Sequence, residues 1–159
     1  MPVVGGGARS DQGQVSFGPI SLEPSVARTI VRLAAASNDR VKILGFGFYL
    51  DGTSNSVAPV ALEIGRISAD GAYASSGSPG PDEEELSTSF ATAIGLNATA
   101  EPTYSSFLRC LTIHPQSGME YLAPPGWEVR LKAGGMLGFR ATSQFSVNIR
   151  GYVMFQEGA

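Results

Sequence analysis

The chain of 159 residues is long enough for one domain with a substantial core; 43% of it is hydrophobic and only 16% is charged, against about 25% in ordinary globular proteins. Its net charge is −3 and it has no basic run that would neutralise a row of phosphates, which argues against sequence-independent nucleic-acid binding. With a single cysteine, no signal-like start and no run of about 18 apolar residues, we expect neither secretion nor a membrane span, but folding in a reducing cytoplasm.

The first segment, residues 1–24, contains five Gly and three Pro and shows little periodicity. This composition predicts an extended arm or a loosely held tail that orders against a partner. From residue 25 onward, "SVARTIVRLAAAS" is rich enough in β-branched residues to predict a strand. A short helical turn over its three alanines, 34–36, is the alternative.

The segment "RVKILGFGFYLDGTS", residues 40–54, alternates large and small residues. Side chains on one face of a strand recur every second residue, so one face is predicted to be core. The predicted core positions are Leu44, Phe46, Phe48 and Leu50. Gly45 and Gly47 on the other face indicate a close approach by a crossing loop or a neighbouring subunit. Asp51-Gly52 predicts a turn, after which "PVALEIGRIS" could pair back as a hairpin.

Residues 69–106 are rich in Gly, Pro and Ser and include an acidic run from Asp82 to Glu85. Loops of this length usually have a function or contain short strands, and "SFATAIGLN" is the strand candidate. The acidic run is interpreted as a solvated surface, because consecutive carboxylates on an extended chain point in alternating directions. Calcium binding by Asp82, Glu83 and Glu84 is the alternative, because hard oxygen ligands need no fixed motif.

The last third of the chain has the clearest strand pattern. Trp127, Val129 and Leu131 alternate with charged residues, which predicts a half-buried antiparallel strand. "GMLGFRATS" and "QFSVNIRGYVMFQE" follow, and the turns between these strands are expected at Gly134-Gly135 and Thr142-Ser143. The second of these segments places five residues on its core side: Phe145, Val147, Ile149, Val153 and Phe155.

These segments together predict an all-β fold of about seven or eight short strands without a helix. We expect an antiparallel two-sheet β-sandwich of jelly-roll type, in preference to a closed barrel. The sandwich domain is expected to cover residues 25–159, with residues 1–24 as the N-terminal arm.

The only cysteine and the only histidine, Cys110 and His114, lie four positions apart in "FLRCLTIHP". On a strand they share a face, but four residues at about 3.3 Å each separate their backbones by roughly 13 Å. A nucleophile and its base need to be within about 3 Å, so we do not expect a catalytic pair. Cys110 is predicted to be a small buried residue and His114 to bond a neighbouring carbonyl. No Gly-x-Ser-x-Gly elbow or histidine-rich metal site is present, so we expect neither an enzyme nor a cofactor.

The segment "YLAPPGWE", residues 121–128, contains a group of aromatic and proline residues. Tyr121, Pro124 and Pro125 could form an exposed shelf for a sugar or for a protein partner. Alternation with Val129 predicts instead that Trp127 is in the core.

The order of these motifs resembles small structural proteins encoded in the head and tail modules of tailed bacteriophages. The resemblance covers residues 25–157 and is carried by four segments, "RVKILGFGFYLDGTS", "APVALEIGRIS", "AEPTYSSFLRCLTIHPQSGMEYLAPPGWEVRLKAGGMLGFRAT" and "VNIRGYVMFQE". It implies a jelly-roll-like protein of the virion, most simply a capsid decoration (cement) protein, assembled as a homotrimer. The implied partner is the major capsid protein or another virion protein, and the implied location is the capsid surface.

We expect such a protein to hold neighbouring capsid subunits together by burying apolar surface. The arm, residues 1–24, is expected to add backbone hydrogen bonds along the edge strand of a neighbouring subunit. The predicted partner contacts are four arm residues and three loop residues: Val3, Val4, Phe17, Ile20, Tyr121, Pro124 and Pro125. One alternative is a receptor- or glycan-binding module of a tail fibre or baseplate that uses Tyr73, Tyr104 or Tyr121. The other is a cupin-like or hydrolytic enzyme centred on His114.

Overall fold

The computed structural model describes residues 11–53, 58–81 and 90–158. Within these ranges the protein consists of twelve β-strands and contains no helix, so no helix of the described chain could span a membrane. In chain order the strands are β1 (Asp11–Leu22), β2 (Ala27–Ala34), β3 (Val41–Leu50), β4 (Val60–Ala69), β5 (Ala72–Gly77), β6 (Gly80–Pro81), β7 (Ala93–Ala100), β8 (Thr103–Ile113), β9 (Gly118–Leu122), β10 (Val129–Leu131), β11 (Met136–Thr142) and β12 (Val147–Glu157).

The strands form two antiparallel sheets packed face to face, which confirms the predicted β-sandwich. Sheet 1 has the order β10-β3-β12-β1-β6, and β9 pairs with β3 beside β10. Sheet 2 has the order β5-β7-β2-β11-β4-β8. The pairing is nested: β1 pairs with β12, β2 with β11, β3 with β9 and β10, and β4 with β8. This nesting, with successive pairs placed in alternate sheets, is that of a jelly roll.

The core between the sheets combines aliphatic side chains with a cluster of phenylalanines. Phe139 of sheet 2 contacts Phe46 and Phe48 of sheet 1, with ring centroids 5.3 and 5.4 Å apart. Tilted and edge-on ring pairs at these distances stabilise a core beyond the area that they bury. The two sheets are therefore joined by one aromatic cluster to which both contribute.

Strand β1 lies within the segment that the sequence analysis assigned to the arm. Val15 and Phe17 point inward, and after a register shift at Gly18 and Pro19, so do Ile20 and Leu22. The sequence does not show a simple alternation of apolar and polar residues here, because the register shift moves the inward positions from odd to even numbers in the middle of the strand. Phe17 and Ile20, predicted as partner contacts, are each only 8% exposed and belong to the core. Val3 and Val4 lie outside the described residues.

Strand β3 contains a second irregularity. Phe46, Phe48 and Leu50 are buried as predicted, but Leu44 is an extra residue relative to β12 and is only partly buried. N-terminal to this bulge the inward positions are odd-numbered, so Val41 and Ile43 take the core sites.

The expected hairpin between β3 and β4 does not form, because the two strands belong to different sheets. The chain after β3 is held at the end of sheet 1 by the Asp51 carboxylate. It accepts hydrogen bonds from the backbone N–H (2.8 Å) and the side-chain amide (2.9 Å) of Asn148. The Gly52 N–H donates to the carbonyl of Pro115 at 2.8 Å, so Asp51-Gly52 directs the chain across the sandwich instead of back along β3.

Candidate functional site

Cys110 and His114 are not brought together by the fold. Cys110 lies on edge strand β8 and is exposed, so the prediction of a buried cysteine was wrong. His114 is exposed directly after β8, and its Nδ1 accepts the backbone N–H of Gln116 at 3.2 Å instead of the ring donating to a carbonyl. The described ranges hold no group of three His, Cys, Asp or Glu placed to bind a metal. The predicted calcium ligands, Asp82, Glu83 and Glu84, lie outside them.

Among the described residues, the two large apolar side chains that are most exposed, Leu122 and Trp127, lie at the end of β9 and in the connection that leads to β10; residues 122–127 are here called the apolar loop. Leu122 is 72% exposed and Trp127 is 74% exposed, so the prediction that Trp127 is in the core was wrong. The alternation around Val129 does not extend back to Trp127, because a turn intervenes: the Trp127 N–H donates to the Pro124 carbonyl at 2.9 Å.

The conformation of the apolar loop is restricted by its own sequence. Pro124 and Pro125 are exposed and fix two consecutive φ angles, and Gly126 takes a φ of 89°, which favours glycine. The N–H of Gly126 donates to the Glu128 carboxylate at 2.9 Å. The indole of Trp127 is therefore presented to solvent from a turn that loses little further conformational entropy on binding.

The predicted contact Tyr121 lies beside this loop but faces the core. It is half-buried, its ring stacks on Phe46 at 5.3 Å, and the Arg109 guanidinium lies 5.1 Å from its ring centroid. Tyr121 is therefore covered on both faces of its ring, while Pro124 and Pro125 are exposed as predicted.

Tyr73 and Tyr104 lie flat on the outer face of sheet 2, each beneath an arginine. The guanidinium of Arg32 lies 4.7 Å from the ring centroid of Tyr73, and that of Arg140 lies 5.2 Å from the ring centroid of Tyr104. Tyr104 also stacks on Phe107 at 5.0 Å. The rings fit closely because the strands below carry glycines: a Cβ added at Gly95 would lie 2.6 Å from the Tyr73 ring, and one at Gly65 2.6 Å from the Tyr104 ring. Neither tyrosine presents an open face for a sugar.

Tyr104 is also tied to the sheet by hydrogen bonds. The Thr29 hydroxyl donates its only hydrogen to the Glu101 carboxylate at 2.7 Å. The Tyr104 hydroxyl lies 2.6 Å from the Thr29 oxygen and is therefore the donor of that second hydrogen bond. Thr29 is fully buried, and its backbone N–H also donates to Glu101 at 2.7 Å. This arrangement satisfies the polar groups of Thr29 and fastens the start of β8 across sheet 2.

The burial of the Tyr73 and Tyr104 side chains predicts that the protein loses stability at high pH. Burial is the largest cause that raises the pKa of Tyr73 and of Tyr104 to about 12. In the unfolded chain tyrosines ionise near pH 10, so between about pH 10 and pH 12 the unfolded state releases protons that the native state retains. We expect the free energy of unfolding to fall as the pH rises through this window. Urea melts at successive pH values, combined with tyrosinate absorbance, measure it.

The variant Tyr104→Phe is the control for this titration. It removes one late-ionising group and should flatten the decline between pH 10 and 12, while costing about 1 kcal/mol at neutral pH for the lost hydrogen bond. If all five tyrosines of the folded protein ionised together near pH 10, the assignment would be wrong.

A third polar cluster lies on the outer face of sheet 1, where the Glu120 carboxylate accepts hydrogen bonds from Tyr49 and, at 3.0 Å, from Tyr152. The bond to Glu120 raises the pKa of Tyr49 to about 12, and the two phenol donors hold the pKa of Glu120 below its ordinary value. The three residues come from β3, β9 and β12, so no local pattern in the sequence indicated them.

Comparison with protein-family models, with curated proteins and with solved structures finds no match to this chain.

Proposed function

We propose that the chain is a structural protein of a tailed-phage virion, most simply a capsid decoration (cement) protein that binds neighbouring capsid subunits by non-covalent contacts. The observation that carries the proposal is the apolar loop, in which Leu122, at the end of β9, and Trp127, on a conformationally restricted turn, are both about three-quarters exposed. Large apolar side chains held in water on a restricted loop are typical anchors of protein interfaces. The resemblance of the strand and turn motifs to virion proteins supports the choice of partner.

The energetics of such a contact are set by a small number of residues. A tryptophan that fills a pocket in the partner typically contributes about 2 kcal/mol or more, which corresponds to about 30-fold in Kd. Copies repeated with the symmetry of a capsid would add avidity to each weak contact. In the proposed homotrimer, three loops would bind together. Because residues 11–22 belong to sheet 1, a contribution from an arm is limited to residues 1–10.

The second candidate function is a receptor- or glycan-binding module of a tail fibre or baseplate. Trp127 is the observation that favours it, because an exposed indole can stack on a sugar ring as well as fill a protein pocket. Tyr73, Tyr104 and Tyr121 give it less support, because an arginine lies against each of their rings.

The variant Trp127→Ala tests the proposed function. We expect it to weaken binding to capsids of the encoding phage, assembled without this chain, by about 30-fold, with an unchanged melting temperature because the indole is outside the core. Cosedimentation over a concentration series measures the Kd. Leu108→Ala is the matched control: Leu108 is an apolar residue that is 39% exposed, but it belongs to edge strand β8 and not to the loop. It should bind like the wild type.

Two outcomes would contradict the proposal. One is that the wild-type chain fails to sediment with the capsids, and the other is that Trp127→Ala and Leu108→Ala bind equally well. Binding of the wild type to a glycan array that Trp127→Ala abolishes, without capsid binding, would establish the second candidate.

A further inference from the structure

A basic cleft opens at the edge of the sandwich where β10 of sheet 1 faces β4 and the start of β11 in sheet 2. It has a volume of about 650 Å³, and three cationic side chains line it, those of Arg66, Arg130 and Lys132. The rest of the lining consists of serine, glycine and two apolar residues, without a carboxylate. This concentration of positive charge is unusual in a chain whose net charge is −3.

The cations of the basic cleft are poorly neutralised by the protein itself. Arg66 donates to the backbone carbonyl of Arg130 at 3.0 Å, and the guanidinium of Arg130 lies 3.9 Å from the Glu128 carboxylate. Within the described part of the chain, neither Arg66 nor Lys132 has an ion-pair partner. An anion in the cleft would therefore meet at least two uncompensated positive charges.

The strongest anion that this chain offers is its own acidic run, Asp82–Glu85, four consecutive carboxylates. The run lies outside the described residues, but both of its flanks are placed. Pro81 ends β6, which pairs with β1. On the other side, Phe90 packs on Phe155 at 5.4 Å, and the Thr92 hydroxyl donates to Glu157 at 2.5 Å. Both flanks are thus fastened to sheet 1, near the edge formed by β6.

The placed flank of the run at Pro81 lies across the whole width of sheet 1 from the basic cleft of the same subunit. One row of paired residues crosses sheet 1 from Pro81 through Gly13, Phe155 and Ile43 to Val129. Four strand spacings of about 4.8 Å place Val129 about 19 Å from Pro81, and the cleft lies farther on, toward sheet 2. Glu85 is four residues from Pro81, so a fully extended chain carries it at most about 14 Å.

We propose that the basic cleft binds the acidic run of a second copy of this chain. Because the cleft and the flanks of the acidic run lie at opposite edges of one sandwich, the contact is heterologous, and repetition of it closes a ring such as the trimer or extends a chain of subunits. Each exposed ion pair contributes little, about 0.2–1 kcal/mol, so the contact depends on several pairs forming together and weakens with salt. The inference rests on the proposed function because that function includes assembly of this chain as a homo-oligomer.

A charge-swap experiment tests the contact in the full chain. The cleft variant carries Arg130→Glu and Lys132→Glu, both at exposed positions, and the run variant carries Asp82→Lys, Glu83→Lys and Glu84→Lys. In sedimentation equilibrium at low salt, each is expected to weaken self-association at least 10-fold. A chain carrying both sets of changes restores the opposite charges and should regain association. The control, Arg40→Glu with Arg150→Glu, reverses two exposed cations outside the cleft and should associate like the wild type.

Recovery in the combined variant is the deciding result, because general damage to the fold would not be repaired by a second set of changes. A monomeric wild type, or association unchanged in both single-set variants, would overturn the inference. Loss in the cleft variant without recovery in the combined variant would assign the cleft to a different anion and would also overturn it. Capsid cosedimentation of the wild type is scored separately, so failure of the proposed function is distinguishable from failure of this contact.

Discussion

Replacing Phe139 by alanine is expected to lower the free energy of unfolding by about 3–5 kcal/mol. The side chain is fully buried on β11, in the middle of sheet 2, and its ring contacts Phe46 and Phe48 of the opposite sheet. Truncation removes the ring that joins the sheets and leaves a cavity that rigid neighbouring strands cannot close. Since domains of this size are typically stable by about 5–15 kcal/mol, the loss would be a large part of the total.

Urea denaturation followed by far-UV circular dichroism measures this loss. Phe107→Ala provides the comparison, because Phe107 is also aromatic and packs on Tyr104, but it is 40% exposed on the outer face of sheet 2. We expect it to cost about 1 kcal/mol, mainly from lost ring contacts. Equal losses in the two variants would show that the contact between the sheets does not dominate the stability of the sandwich.

The sandwich was predictable because its strands alternate locally, as in β12 and in most of β3. The nested strand order was not predictable, because the pairing of β1 with β12 joins segments at the two ends of the chain, and periodicity carries no information about partners. β1 itself escaped detection because the irregularity at Gly18 and Pro19 changes the phase of its alternation. The same cause moved Leu44 out of the predicted core face.

The candidate site was predictable only in its location. The prolines and aromatic residues of the "YLAPPGWE" segment predict an exposed shelf for a sugar or for a protein partner, and Pro124 and Pro125 are exposed. The roles of Tyr121 and Trp127 are exchanged relative to the prediction, because a turn separates Trp127 from the alternation of β10. The contacts of Arg32 with Tyr73 and of Arg140 with Tyr104 join residues that are far apart in the sequence, and so does the basic cleft. Only the fold reveals them.

The two proposed contacts lie next to each other in the chain. The apolar loop ends at Trp127 and leads into β10, which supplies Arg130 to the basic cleft, with Lys132 directly after it. Glu128, between them, binds the Gly126 N–H and also lies beside the Arg130 guanidinium. A partner that moves this loop would therefore also shift the charges of the cleft. For this reason the Trp127 and cleft variants both need to be measured for capsid binding and for self-association.

The Gly151→Ala variant is expected to lose about 3 kcal/mol of stability, a large effect for one added methyl group. Gly151 lies on β12 between β1 and β3, and a Cβ there would overlap the carbonyl oxygen of Gly47 and lie 3.1 Å from the Phe48 Cα. These are backbone atoms of a paired strand, so they cannot rotate away as a side chain would. For a chain of this size, about 3 kcal/mol corresponds to a melting temperature lower by roughly 6–12 °C.

Calorimetry of Gly151→Ala beside Gly18→Ala separates this overlap from the general effect of adding a side chain to a strand. A Cβ at Gly18, on the neighbouring strand β1, meets nothing within 4 Å. That variant should therefore remain within about 0.5 kcal/mol of the wild type. If both variants melted at the same temperature, the close approach of β3 to Gly151 could not be what requires glycine at this position.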